Sequence, residues 1–173
     1  MEIEIFKLPK ERWQEYKLLK IESLRNSGEF LTSSLKLAES QPDSFWQNCT
    51  DSNPLQPQTI ILVAQCDRKV VGMVSLQLEE SGGSQECNAT LCGLYITPQL
   101  RNKGIGSRLV EAAIAAAKSR KIENLLVFVQ AENTSAIQLY QKWQFQQVGR
   151  LSKTFKYRDR YSDEIILQKS LED

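Results

Sequence analysis

The segment Arg101-Asn102-Lys103-Gly104-Ile105-Gly106-Ser107 follows an apolar, strand-like run ending at Ile96-Thr97-Pro98, and it opens a helical pattern from Gly104 to about Ser119. A strand, a basic turn with glycines and a helix start, in that order, build an anion site. The first amides of a helix have no intrahelical partner, and the helix dipole adds partial positive charge where they point. Gly104 and Gly106 lack a Cβ, so a phosphate can come close to the backbone. Arg101 and Lys103 add charge, Ser107 adds a hydroxyl donor, and the guest that suits this set is a pyrophosphate. The plain alternative is a strand-to-helix turn with solvated basic residues, since glycine turns are common. A G-x-G-x-x-G dinucleotide fingerprint fails because its third glycine position is Leu109. No G-x-x-x-x-G-K-[ST] run is present either.

A second motif lies downstream of another apolar run, Leu125 to Val129. It reads Asn133-Thr-Ser-Ala136-Ile-Gln-Leu139-Tyr140-Gln-Lys-Trp-Gln-Phe145. Asn133 suits the N-cap of a helix beginning at Thr134. Ala136, Leu139 and Tyr140 then share one helix face. Tyr140 reads either as a half-buried aromatic with a tethered hydroxyl or as a proton donor to a departing thiolate.

Taken together, strand-Thr-Pro, R-x-x-G-x-G and N-x-x-A-x-x-L-Y-x-K-x-x-F resemble the GNAT superfamily of acetyl-CoA-dependent N-acetyltransferases. The two motifs span Leu94 to Phe145 in that family's order, and two motifs in order are more specific than either alone. The segment from Pro9 to Leu24 is similar to the family's opening helix, and Tyr161 to Leu167 to its last strand. One departure stands out: Gln144 replaces a glycine that many members carry two residues after the position of Lys142, which predicts an altered turn after the Asn133 helix. The resemblance implies acetyl-CoA as cosubstrate, held by Leu94, Tyr95, Ile96, Arg101, Asn102, Lys103, Gly104, Ile105, Gly106, Ser107, Asn133 and Tyr140. Asn133 would both cap its helix and face the cofactor arm. It also implies that the strands ending at Ile96 and Val129 splay apart, so that pantetheine fills the wedge and pairs the freed backbone groups of Leu94 to Ile96.

Composition narrows the rest. The 173 residues carry a net charge of +1, so no global field favours nucleic acid or an anionic membrane. The cluster Lys153-Thr-Phe-Lys-Tyr-Arg-Asp-Arg160 interleaves aromatics with charge; an RNA surface is the weaker reading beside a strand with one solvated face. There is no histidine, and none of the four cysteines forms C-x-x-C, which argues against zinc and against any histidine-based nucleophile. No apolar run is long enough to span a membrane. Without a secretory leader pattern, reduced thiols in the cytoplasm are the expectation. Dimerisation is common among proteins of this resemblance, and nothing in the residues demands it.

Along the chain, Glu2 to Lys7 alternates as a first strand, and a helix follows from Pro9, striped by Trp13, Tyr16, Leu19 and Leu24 and broken at Ser27-Gly28. A second helix is expected from Leu31 to about Ser40. Gln41 to Gln58, with three prolines, reads mainly as loop with a short helical turn near Phe45-Trp46. Strands over 59–65, 70–78 and 87–96, joined by turns at Asp67-Arg68-Lys69 and Ser81-Gly82-Gly83, make an antiparallel meander. The Gly104 helix crosses over to Leu125–Val129, which should lie parallel to the strand ending at Ile96. The expectation is one α/β (α+β) domain over residues 1–173. Its mixed, mostly antiparallel sheet has helices on both faces and splayed central strands.

Acetyl transfer to an amine needs a neutral amine, a stabilised carbonyl oxygen and a protonated leaving thiolate. In this order, the amine comes first. The resemblance assigns the stabilised oxygen to a backbone N–H near Ile96. Tyr140 is the candidate for the thiolate's proton, since a phenol's pKa of roughly 10 is near a thiol's. Glu79, Glu80, Asp163 and Glu164 sit near strand ends and read more simply as solvated charges. No base is assigned. The acceptor class stays open among small amines, amino acids, polyamines, aminoglycoside-like compounds and protein amino groups. A non-catalytic acyl-CoA sensor and a partner-binding domain are the alternatives to an enzyme.

Overall fold

β-Branched and apolar runs between turn residues become strands in the computed structural model, which describes residues 2–27, 34–50, 59–78, 87–157 and 159–172. The elements are β1 (Ile3–Lys7), α1 (Trp13–Ser27), α2 (Leu35–Ser40), α3 (Asp43–Thr50), β2 (Thr59–Cys66), β3 (Lys69–Leu78), β4 (Asn88–Ile96), α4 (Ile105–Ser119), β5 (Asn124–Gln130), α5 (Thr134–Lys142), β6 (Gln146–Tyr157) and β7 (Arg160–Ser170). The strands form one seven-stranded sheet in the order β1-β2-β3-β4-β5-β7-β6. Every neighbouring pair is antiparallel except β4 and β5.

β2 and β3 are buried along almost their whole length, because helices cover both faces of the sheet there. Asp67 and Arg68 both take positive φ, 48° and 66°, so a two-residue turn of the type that matches strand twist closes this hairpin. On one face, α4 inserts Ile105, Leu109, Val110, Ala113 and Ala117, a 3.6-residue stripe, against Leu62, Val74, Leu76, Leu91 and Val127. On the other face, Leu19 of α1 packs with Ile61, Val63, Met73 and Tyr95.

Two helical expectations shift. Residues 43–50 form a full helix where mainly loop was expected. Trp46, 2% exposed, is clamped with Leu24 and Ala38, and this burial outweighs the turn-forming composition. α2 begins at Leu35, with Ser34 accepting a bond from the Leu37 amide; the expected start at Leu31 lies outside the described residues. So do Phe30, Glu79, Glu80 and the Ser81-Gly82-Gly83 turn. No helix among the described residues is long and apolar enough to cross a membrane.

Candidate active site

The centre of the sheet is a seam that opens. β4 and β5 pair in parallel only from Asn88↔Asn124 to Leu91↔Val127, yet β4 runs on to Ile96 and β5 to Gln130. Gly93, at φ 66°, marks where this happens. Met73 pairs with Tyr95 and Ser75 with Cys92, so β4 carries one extra residue there. A glycine-centred bulge of this kind bends a strand and re-aims it. The β5-facing backbone beyond Leu91 is thereby released, as expected for splayed strands. A cavity of about 590 Å³ fills the gap. Asn26 and Ser27 of α1 line it from one face, and α4 and α5 residues line it from the other.

α4 aims its N-terminus into this cavity. Its cap, Gly104, sits at φ 78° with no side-chain cap, and the first i→i−4 bond runs from Arg108 N–H to the Gly104 carbonyl at 3.1 Å. The amides of Ile105, Gly106 and Ser107 therefore have no intrahelical acceptor. The two glycines serve different ends. A Cβ on Gly104 would meet no protein atom within 4 Å, so what the fold itself requires of that residue is its left-handed φ. A Cβ on Gly106 would press on Ile96 Cδ1 and Leu139 Cδ2 at 3.2 Å each. Gly106 thus lets α4 close onto β4 and α5, a packing reason beside the expected phosphate clearance.

The other expected residues fall into place unevenly. Leu94, Tyr95, Ile96, Asn102, Ile105 and Ser107 line the cavity, while Lys103 is exposed and does not. Arg101 lines it too, but its guanidinium turns back: Nε donates to the Ile96 carbonyl at 3.0 Å, Nη2 donates to Ser27 Oγ at 3.2 Å, and the group lies over the Tyr95 ring. Tyr95 contributes backbone; its hydroxyl lies among α1 groups, accepting from Asn26 Nδ2 and donating to Glu22 Oε1, each at 2.9 Å. Asn133 caps α5 by accepting from the Ala136 amide at 3.3 Å, and it also lines the cavity.

Tyr140 lines the cavity at 3% exposure, edge-on to Phe145 with ring centroids 5.4 Å apart. Its hydroxyl has no hydrogen-bond partner among the described residues, so the tethered-hydroxyl reading does not hold. Burial pushes its pKa well above the ordinary phenol value. The phenol is therefore fully protonated at neutral pH and releases its proton less readily than a free tyrosine.

The expected change at Gln144 does not occur. Gln144 adopts φ 65°, the conformation a glycine would take there. The Phe145 amide bonds the Tyr140 carbonyl at 3.1 Å and the Gln144 amide bonds the Gln141 carbonyl at 2.9 Å. This is a Schellman ending, with the Phe145–Tyr140 ring pair as its apolar contact.

Two residues with no sequence signal brace the site from outside its lining. Trp143 Nε1 donates to Ser107 Oγ at 3.0 Å, tying the end of α5 to the start of α4 across 36 positions. Glu22 accepts from Thr97 Oγ1 at 3.0 Å as well as from Tyr95. The strand-end carboxylates lie elsewhere. Asp163 takes Arg150 Nη2 at 2.7 Å and the Lys153 amide at 2.9 Å, and Glu164 stands within the β5–β7–β6 ladder. No Asp or Glu lines the cavity among the described residues. The early aromatics pack together: Trp46 meets Tyr16 and Phe45 edge-on, at 6.1 and 5.2 Å. The described cysteines are free thiols, and among the described residues no group of His, Cys, Asp and Glu could hold a metal.

The model of the acetyltransferase (GNAT) family matches residues 17–145, and the chain belongs to that family. Solved structures share the fold at low identity. A GNAT-family acetyltransferase from Streptococcus pneumoniae superposes with a TM-score of 0.83 at 22% identity, over 98% of this chain and 99% of that one. The yncA protein of Salmonella typhimurium, solved with its cofactor acetyl-CoA, gives 0.78 at 14% identity, over 100% and 96%. A ribosomal-protein-alanine N-acetyltransferase from Brucella melitensis gives 0.75 at 20% identity, over 96% and 99%.

Proposed function

We propose that this chain is a single-domain N-acetyltransferase that moves an acetyl group from acetyl-CoA to a primary amine by direct attack while both are bound. The observation that carries the reading is the opened β4–β5 seam lying beside uncapped α4 amides. Each supplies what the other lacks: unpaired strand edges suit an amide-bearing arm, and helix-start amides suit a diphosphate. Acetyl-CoA supplies a thioester carbonyl that an amine can attack, with a thiol released.

The chain's own residues do the rest in this reading. The Ile105, Gly106 and Ser107 amides and the Ser107 hydroxyl hold the diphosphate. Leu94 to Ile96 pair with the arm, and an amide near Ile96 stabilises the carbonyl oxygen as it gains charge. Arg101 acts on this edge through Ile96 rather than as a free phosphate ligand. Tyr140 holds the proton that the departing sulfur takes. Burial keeps the phenol protonated until the sulfur departs, and a thiolate desolvated in the same cavity is a stronger base than in water. Holding amine and thioester together supplies several kcal/mol of the barrier reduction.

Titration calorimetry with CoA, followed by a thiol-release assay with acetyl-CoA over an amine panel, tests the reading. Binding and release together support it, binding alone leaves a sensor, and no binding removes the enzyme. Tyr140→Phe should lower kcat by about 100-fold or more while leaving CoA affinity unchanged. Unaltered turnover would take Tyr140 out of the mechanism.

A further inference from the structure

If the diphosphate sits at α4, the amine reaches the seam from the opposite face, where α1 lies. What that face offers decides the class of acceptor. Lys20 is half-buried on α1, and its Nζ stands 3.8 Å from where a Cβ on cavity-lining Gly93 would be. Burial depresses its pKa, and the Cys92 and Cys49 thiols are the titratable groups that act on it. Among the described residues the Lys20 ammonium has neither a hydrogen-bond nor an ion-pair partner, while its carbonyl accepts from Ser23 Oγ.

Four described carboxylates of α1, α2 and α3 are already committed. Glu15 is held by Arg12, Asp43 by Lys17 and Glu39 by Arg25, while Glu22 accepts from Tyr95 and Thr97. A half-buried ammonium left without a counter-charge is unfavourable unless an anion arrives. A second unsatisfied donor, outside the cavity lining, lies on the α1 side of the sheet. Leu125, Val127 and Val129 of β5 point into the α4-side core, which puts Gln130 on the α1 side, and Gln130 Nε2 is buried with no acceptor. The described lining of the cavity is also without carboxylates and includes Arg101 and Lys142. A second ammonium on the acceptor would find no carboxylate among the described lining residues.

We infer that the acceptor amine also carries an anionic oxygen group, in the simplest case a carboxylate, which Lys20 holds from the α1 face of the seam. The acceptor is thus amino-acid-like rather than a polyamine or an aminoglycoside-like polycation. This rests on the acetyltransfer reading above.

The thiol-release assay tests it with matched sets: amino acids, their decarboxylated amines, and a polyamine. The wild-type protein should favour the acid over its amine by roughly tenfold or more in kcat/KM, the scale of a hydrogen bond to a charged group. In Lys20→Met that ratio should fall toward one through KM, and Lys20→Arg should keep part of it. Equal or better use of the polyamine or the decarboxylated amines by wild type overturns the inference, and needs no variant to show it. So does a Lys20→Met protein that loses activity on every substrate alike, which is the mark of a structural role. Turnover of none of the carboxylate-bearing amines, with CoA still bound in calorimetry, overturns it while sparing the cofactor grip. Absence of CoA binding would instead bring down the acetyltransfer reading itself.

Discussion

At the scale of residues, the Trp143–Ser107 bond sets the direction of a proton. The indole N–H occupies a lone pair of Ser107 Oγ, so the hydroxyl's own hydrogen is left to donate elsewhere, and Ser107 lines the cavity. If that hydrogen serves the diphosphate, Ser107→Ala should weaken CoA binding roughly tenfold or more, as expected for a hydrogen bond to a charged group. Trp143→Phe should weaken it less, and should change nothing further once Ser107 is already alanine. Calorimetry on the two single variants and the double variant measures this coupling. Equal losses from Trp143→Phe in both backgrounds would show that the indole acts through packing alone. Neither partner could be matched from the chain by local pattern, because the bond joins two helices that meet only after α4 and α5 dock onto the sheet.

At the scale of elements, the end of α5 shows a sequence departure that the backbone absorbs. A left-handed conformation strains a residue with a Cβ by roughly 1–2 kcal/mol, and Gln144 bears that strain to keep the Schellman ending. Gln144→Gly should therefore raise stability by about 1 kcal/mol in urea melts, less the added freedom of the unfolded glycine. A destabilised variant would mean that the side chain, which accepts from Lys169 Nζ at 3.5 Å, matters more than the strain. The β6–β7 pair carries a similar device. Between Leu151 and Phe155 the register slips, Lys153 takes φ 54°, and Asp163 pins the bulge by accepting from the Lys153 amide and from Arg150. The Lys153 amide and then Arg150 hold the Asp163 carboxyl below its ordinary range. Its folded value lies beneath the unfolded one, so this stabilisation is present at neutral pH and is lost as pH falls through the folded value. Asp163→Asn should lower Tm at pH 7 and make no difference in acid below both values; a Tm unchanged at pH 7 would deny the bulge its anchor. What could be read locally follows from these cases. Runs such as Ile60–Ala64 and the 3.6-residue stripe of α4 carry their own period, and the parallel crossover to β5 follows from their order. Only a short turn of helix α3 near Phe45-Trp46 was legible, because Pro42, Ser44 and Asn48 argue locally for loop and the distant burial of Trp46 extends the helix against them. The bulge at Gly93 was hidden for the same reason: a lone glycine in a strand does not say where the partner strand will slip.

At the scale of the whole molecule, the sheet is joined at its middle by the least pairing it has. Four paired positions link β4 to β5, whereas β2–β3 and β5–β7 are paired along nearly their full lengths. The halves are otherwise held by the α4-side core, which runs from Leu62 and Leu91 through Leu109 to Val127 and Leu167. A ligand that fills the seam would complete the sheet as well as occupy a site, and linkage then fixes the size of the effect. CoA at 100 times its dissociation constant should stabilise the folded chain by about 2.7 kcal/mol. For a domain of this length that corresponds to a rise in Tm of roughly 5–10 °C. Hydrogen exchange locates the gain: amides from Cys92 to Ile96, which no β5 backbone covers, should slow on adding CoA, together with those of Ile105 to Ser107. Protection at α4 without protection along β4 would mean that the diphosphate grip works while the arm lies outside the seam, and the acetyl group would then be too far from Tyr140 for that residue to serve it. Protection of both, with no change in β6 or in the outer part of β7, would show that the opened seam is where the cofactor completes the sheet.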